Sequence, residues 1–348
     1  MRRLLLGAVL LILACEGAAT LPAPSQKSPA AVPTATIDVS DMMGAFPQTT
    51  FYVITGDGLK AIALLNHATR FTVETTGSVQ VAAGNSQVYV ADETPDGTRI
   101  RWIDKVSGGV LATRMDPGRK LVYTGTGNGA LAVEPTTGRV LAMFADGARR
   151  VVDAFDPYTL RPLGRRLEAG CGDRLLAAAG RVVVACLAGT LVIKDAGDPR
   201  SVDVGLGPLV AAAMRADGAT LVGRSDGTLA QIGPASAVVE KIEPFRPGQL
   251  VADGIAAVDE NTFAIALGTT DRSVGISEVR RGRRYISFEA KNVPIGGLLA
   301  DGLFAYWVDG AQAKHIDLTQ GFAETMTTFA GSPVRVGVLM LPGAVSPY

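Results

Sequence analysis

Apolar and polar positions in this 348-residue chain alternate with a period of two, in short runs broken by turn residues. The plainest stretch is 87–111, QVYVADETPDGTRIRWIDKVSGGVL. Val88 and Val90 alternate with their neighbours up to Asp96-Gly97. Ile100, Trp102 and Ile103 lead to a polar Asp-Lys-Val-Ser-Gly-Gly turn, and Val110 and Leu111 open a third run. Asp-Gly between alternating strands predicts a hairpin, with a type I′ turn whose two central residues both take positive φ. The punctuation recurs at Asp57-Gly58, Asp146-Gly147, Asp226-Gly227 and Asp309-Gly310, with weaker copies at Ala188-Gly189 and Asp271-Arg272. A second turn follows each, near Asn66, Asp104, Asp156, Lys194, Gly233, Val279 and Asp317, at spacings of 38, 52, 38, 39, 46 and 38 residues.

A period near 40 residues built from strands alone is the signature of a propeller blade. The hairpins therefore predict an all-β, seven-bladed β-propeller with four-stranded antiparallel blades. Eight small blades are the alternative, because Glu134–Gly138 (EPTTG) is a further turn of the same kind. It lies 22 residues before Asp156, too few for a blade, and reads as the first turn within the third blade. The longest spacing marks an insertion over about 116–129, DPGRKLVYTGTGNG. Short alanine-rich runs at 78–83, 175–179, 209–213, 250–252 and 298–300 suit inner strands crowded round a channel. Val334–Leu341 (VRVGVLML) has no later hairpin of its own. It is expected to supply the inner strand of the first blade, beside Phe51–Thr55, since an open sheet edge invites association.

The N-terminus divides the chain into three parts: 1–15, 16–48 and a single propeller domain over 49–348. Two arginines precede the apolar run Leu4–Ala14, which is too short for a permanent membrane span. The run stops at Cys15. This segment resembles a bacterial lipoprotein signal peptide, in which Cys15 is lipidated and becomes the mature N-terminus; Leu13 departs from the small residue commoner two positions before the cysteine. An ordinary secretory signal cut after Ala19 is the alternative. Glu16 is not the aspartate that favours inner-membrane retention in enterobacteria, so the resemblance implies secretion across the inner membrane and anchoring at the outer membrane. Residues 16–48, rich in Ala, Pro, Ser and Thr, read as a flexible tether reaching roughly 30 Å.

Lys+Arg and Asp+Glu balance at 33 each, so no global field points to nucleic acid or an acidic substrate. Aromatic residues make up 6%, which argues against stacking platforms for sugars or single strands. His67 and His315 are the only histidines. They fall in different blades with no carboxylate or cysteine at metal-ligand spacing, and read as surface or satisfied strand residues. No Cys-x-x-Cys-His, phosphate loop or Gly-x-Ser-x-Gly elbow occurs, and no metal, cofactor or catalytic residue is assigned. Asp57, Asp96, Asp146, Asp226 and Asp309 would all face one end of a regular propeller. A cation-binding ring is one reading, and aspartate's tolerance of tight turns is the simpler one.

Cys171 and Cys186 flank 175–180, and a tight turn near Ala179-Gly180 would bring them close. A disulfide is expected in an oxidising compartment, two buried thiols otherwise. Arg280, Arg281, Arg283 and Arg284 form the densest charge run, a solvated hairpin tip or a contact for anionic lipid or lipopolysaccharide phosphate.

Ala130–Phe144 (ALAVEPTTGRVLAMF) and Trp102–Ala112 (WIDKVSGGVLA) resemble the quinoprotein-type (PQQ-like) and YVTN-type propeller repeats, over about residues 51–341. The resemblance implies blades and no particular chemistry. That superfamily contains quinone-cofactor enzymes, lactonases, surface-layer proteins and the lipoprotein of the outer-membrane barrel-assembly machinery. The adjacent-cysteine and tryptophan features of the quinone enzymes are absent, so no quinone is expected. Two functions are weighed. One is a monomeric, lipid-anchored, non-catalytic propeller of the cell envelope that binds a protein, peptide or ligand through its loops. The other is a lactonase-like hydrolase at the channel mouth, using the turn acids with Lys120, Tyr123 and Asn128.

Overall fold

Every regular element among the described residues is a strand, because the turn chemistry interrupts the chain after at most nine residues. The structure is a computed structural model describing residues 50–63, 66–84, 87–122, 129–234, 239–242, 249–258, 262–268, 271–278, 283–291, 295–301, 304–317, 322–329 and 335–340. The first sheet contains β1 (Thr50–Thr55), β2 (Gly58–Ala63) and β3 (Thr69–Val73), and the second β4 (Val79–Ala83), β5 (Val88–Thr94), β6 (Gly97–Ile103) and β7 (Val110–Pro117). The third is built from β8 (Lys120–Leu121), β9 (Leu131–Val133), β10 (Val140–Asp146), β11 (Arg149–Phe155) and β12 (Pro162–Ala169). The next two are β13 (Arg174–Ala178), β14 (Arg181–Cys186), β15 (Thr190–Lys194), β16 (Arg200–Asp203), then β17 (Leu209–Met214), β18 (Thr220–Arg224), β19 (Leu229–Ile232), β20 (Val239–Ile242). The last two are β21 (Leu250–Ala257), β22 (Thr262–Leu267), β23 (Asp271–Glu278), β24 (Arg283–Lys291), then β25 (Ile295–Asp301), β26 (Phe304–Asp309), β27 (Gln312–Asp317), β28 (Phe322–Thr328).

The final strand, β29 (Arg335–Met340), returns to pair antiparallel with β1, from Thr50↔Met340 to Ile54↔Arg335. The C-terminal strand thus completes the first sheet as its innermost member.

The blade count expected from the repeat needs correction. Six sheets are regular four-stranded blades, not seven or eight. The third sheet is built differently, with five strands. Its inner position is split: β8 pairs with Phe144 and Ala145 of β10, and β9 pairs with Val140, Leu141 and Ala142 of the same strand. The Gly-rich run 124–129 separates the two pieces in sequence, and glycine neither stiffens a strand nor packs within it. Turn spacing reports how often the chain reverses. It does not report how many strands each sheet receives.

The Asp-Gly turns also differ from expectation. Asp57 and Asp96 do not take positive φ. Gly58 and Gly97 do, at 139° and 141°, each as the first residue of the strand after the turn. A Cβ at Gly58 would lie 2.4 Å from the Val73 carbonyl oxygen, and one at Gly97 2.3 Å from that of Asp116. Glycine is required there because the end of the outermost strand passes through the space a side chain would fill. Two successive positive-φ residues, as a type I′ turn demands, occur at Ala179 (50°) and Gly180 (74°), between β13 and β14.

Most of the largest buried side chains sit on the second strand out from the channel. Phe51 and Tyr52 of β1, Tyr89 of β5, Phe144 of β10, Phe263 of β22 and Trp307 of β26 are all shielded from solvent. Inner strands carry alanine instead and border the channel. Polar ties join neighbouring sheets. The Tyr89 hydroxyl donates to the Pro157 carbonyl at 2.7 Å, and Arg181 donates to the Gly218 and Gly233 carbonyls. Within the second sheet, fully buried Asp92 accepts from Arg99 Nε (3.0 Å) and Nη2 (2.6 Å) and from the Thr76 backbone and hydroxyl. Its Oδ1 also lies 3.4 Å from Arg101 Nη2. Cys171 and Cys186 are joined by a disulfide with Cα atoms 5.6 Å apart, tying the entry to β13 to the end of β14.

Asp92→Ala leaves the buried Arg101 guanidinium without its counter-charge and costs about 3–5 kcal/mol by urea denaturation. An effect below about 1 kcal/mol would show the cluster to be dispensable. Ala179→Asn puts the favoured residue in a left-handed turn position and raises stability by about 0.5–1 kcal/mol in the same assay. Reducing the disulfide under native conditions lowers stability by about 2–4 kcal/mol, read as a drop in thermal midpoint that Cys171→Ser reproduces.

Candidate functional site

The inner strands enclose a channel of about 370 Å³, lined by Val81, Leu131, Met214, Ile255 and Leu299 among other apolar residues. Arg174, on β13, is the one charged residue among the described lining. It forms an ion pair with Asp253 of β21, a buried residue held at φ 57°. Burial pulls the Arg174 guanidinium down to about 10, still cationic at neutral pH. A second hollow of about 210 Å³ adjoins it between the sheets of β13–β16 and β17–β20, walled by Cys186, Leu187, Leu209 and Ala252, with Asp173 and Arg174 at its polar side. These spaces are apolar, with a charge pair closed upon itself in the wall.

None of the turn acids is among the described residues that line the channel. Asp57 accepts from the Thr55 hydroxyl at 2.5 Å and lies 3.1 Å from Lys60 Nζ. The Thr55 hydrogen bond, then that of Lys60, holds its carboxyl below the ordinary range. Asp226 accepts from the Thr228 backbone at 3.0 Å and pairs with Arg224. The backbone bond is the larger cause of its lowered value. Asp96 and Asp146 are exposed, and of Asp309 only the backbone is described. Asp57 and Asp226 therefore serve their own turns. Lys120 is exposed on β8, while Tyr123 and Asn128 lie outside the described residues. Among the described residues no group of three or more His, Cys, Asp or Glu is arranged to hold a metal.

Cys186 is buried at the wall of the smaller hollow, bonded to Cys171. Cys15 lies outside the described residues, as do Arg280 and Arg281. Arg283 and Arg284 open β24, where only their backbone is described. His67 and His315, assigned to separate blades, meet with ring centroids 5.6 Å apart.

Sequence reasoning missed the outer rim. Eight large apolar side chains are exposed among the described residues, and six of them lie on the second and third sheets. Val106 (69% exposed) and Tyr158 (58%) occupy corresponding turns, Val110, Leu111 and Met115 lie on β7, and Leu163 lies on β12. Trp102 of β6 meets Tyr158 edge-on at 5.5 Å and bridges the two sheets. Both turns are hydrogen-bonded internally. Asp104 Oδ1 accepts from the Val106 and Ser107 backbones, and Asp156 Oδ1 from those of Tyr158 and Thr159. These bonds, led by that of Thr159, hold Asp156 below the usual carboxylate range. Both β7 and β12 are outermost strands, each paired on one side among the described residues. The signal was present in the sequence, as apolar residues in the strand farthest from the channel, but it needs the strand order to be read.

No family model matches the chain, and no curated protein sequence does. In fold, 1037 solved chains match, too many for architecture alone to select a function. The RRP9 WD40 repeats share 11% identity at a TM-score of 0.56, covering 83% of this chain and 90% of that one. A puromycin-hydrolysing peptidase of Mycobacterium tuberculosis shares 14% at 0.55, covering 82% of this chain and 53% of that one. BamB from Moraxella catarrhalis shares 19% at 0.47, covering 73% and 77%. At such identities the likeness concerns architecture: this chain folds as a β-propeller.

Proposed function

We propose that the protein is a lipid-anchored, non-catalytic propeller of the bacterial cell envelope that binds a protein or peptide along the rim of its second and third sheets. The observation that carries this reading is the concentration of exposed apolar side chains there, on turns fixed by aspartate bonds to their own backbone. Exposed valine, leucine and tyrosine on a rigid support supply contact area at low ordering cost. Among the described residues β7 and β12 are each paired on one side only, which leaves an edge that an extended segment can join. Anchoring is supported by the leader, whose apolar run ends at Cys15. Through lipid on Cys15, the tether 16–48 would present the domain at the membrane surface, with the outer membrane as its address. The channel gives a hydrolytic reading less support, since its described lining carries no imidazole and the carboxylate at its wall, Asp253, is paired with Arg174.

The test is crosslinking of the full chain in its own membranes, read by mass spectrometry. The partner is captured by the native protein and lost from a variant carrying Val106→Ser, Leu111→Ser, Tyr158→Ser and Leu163→Ser, with the thermal midpoint unchanged. Retention of the partner by that variant moves the interface elsewhere. Cys15→Ser shifts the protein from the membrane to the soluble fraction, and its persistence in the membrane rejects the anchor.

A further inference from the structure

The chain contains two histidines, and the fold brings them together. His67 lies in the turn between β2 and β3 of the first sheet, and His315 on β27 of the last. They are far apart in sequence, but the return of β29 to β1 makes their sheets neighbours in the ring. Both are half-buried, within reach of solvent.

The turn carrying His67 is pinned. Its backbone donates to the Ala63 carbonyl at 2.8 Å, Ala63 donates to that of Ala68 at 2.9 Å, and Asn66 Oδ1 accepts from the Ala68 backbone at 3.1 Å. His67 itself is held at φ 58°, a left-handed conformation histidine adopts more readily than most residues. On the other side, Phe304 and Tyr306 of β26 each meet the His315 ring edge-on, with centroids 6.1 Å away. The two imidazole rings meet edge-on across the seam, with their planes 65° apart.

We propose that His67 and His315 form a two-imidazole site for a borderline divalent transition ion of the copper(II), nickel(II) or zinc(II) class. An imidazole nitrogen binds such an ion at about 2.0–2.1 Å, which puts the ring centroid about 3.2 Å from the metal, so two imidazoles sharing one ion have centroids about 5–6 Å apart. The observed separation is 5.6 Å. Imidazole suits these metals, and hard ions such as calcium and magnesium prefer oxygen sites. With two protein ligands, water completes the coordination, which makes the site exchangeable and of micromolar rather than structural affinity. A bound ion would link the first sheet to the last beside the backbone pairing that closes the ring.

Copper(II) chloride titrated into the full, tag-free chain at neutral pH tests the site by calorimetry. The expected result is one equivalent bound with a micromolar Kd, and a weakening of about tenfold or more in both His67→Asn and His315→Gln. The thermal midpoint of the native chain rises with copper, while neither variant responds. Electron paramagnetic resonance of the copper-loaded native protein gives a reading independent of how the variants fold, with couplings from two imidazole nitrogens expected. Binding that persists unchanged in either variant, a spectrum without two imidazole nitrogens, or no binding below millimolar copper overturns the proposal, leaving the two rings as an aromatic packing contact.

Discussion

The structure depends on backbone pairing between two strands from opposite ends of the chain. β1 lies between β2 and β29, and the β29 side is contributed by residues 335–340. Elsewhere a sheet is assembled from consecutive segments, so local hairpins suffice. At the first sheet alone the inner strand comes from the far end. That pairing gives the first sheet its fourth, innermost strand and sets His67 beside His315. It is held by hydrogen bonds and packing, with no covalent link across the seam among the described residues.

Charge is handled by local pairing. Three carboxylates each hold two arginines: Asp92 with Arg99 and Arg101, Asp195 with Arg181 and Arg200, Glu168 with Arg149 and Arg165. Each group fixes its side chains and keeps one arginine charge in excess, which acids elsewhere in the evenly balanced chain offset. The rim proposed for binding is instead apolar, built of valine, leucine and tyrosine. Arg174 and Asp253 repeat the theme in the channel wall, where an unpaired charge would be costly.

How much was legible in the sequence follows from the range of each interaction. Alternation and turn residues act over a few positions, so the hairpins, the alanine-rich inner strands and the role of the last strand were readable. The fate of Gly97 was misread because its conformation answers to the Asp116 carbonyl, on a strand beyond the next turn. The five-stranded third sheet escaped because periodicity counts reversals, and a Gly-rich run can divide a strand without changing their number. Of the candidate site, Val106 and Tyr158 looked like ordinary turn residues until the order of strands put them on an outer rim. The histidines looked unrelated because sequence distance conceals that first and last are adjacent in a ring.

The closing strand also carries a consequence for how the molecule comes into being. Synthesis proceeds from the N-terminus, so β1 emerges early and must wait for almost the entire remainder of the chain before its inner neighbour exists. During that interval the nascent protein offers Phe51 to Ile54, later among its most deeply buried residues, on a strand that β2 can pair on one side only. The interval ends only when the final strand is released. The most exposed moment in the life of this protein thus belongs to its oldest segment, and any factor that attends its folding has most to do at the beginning of the chain.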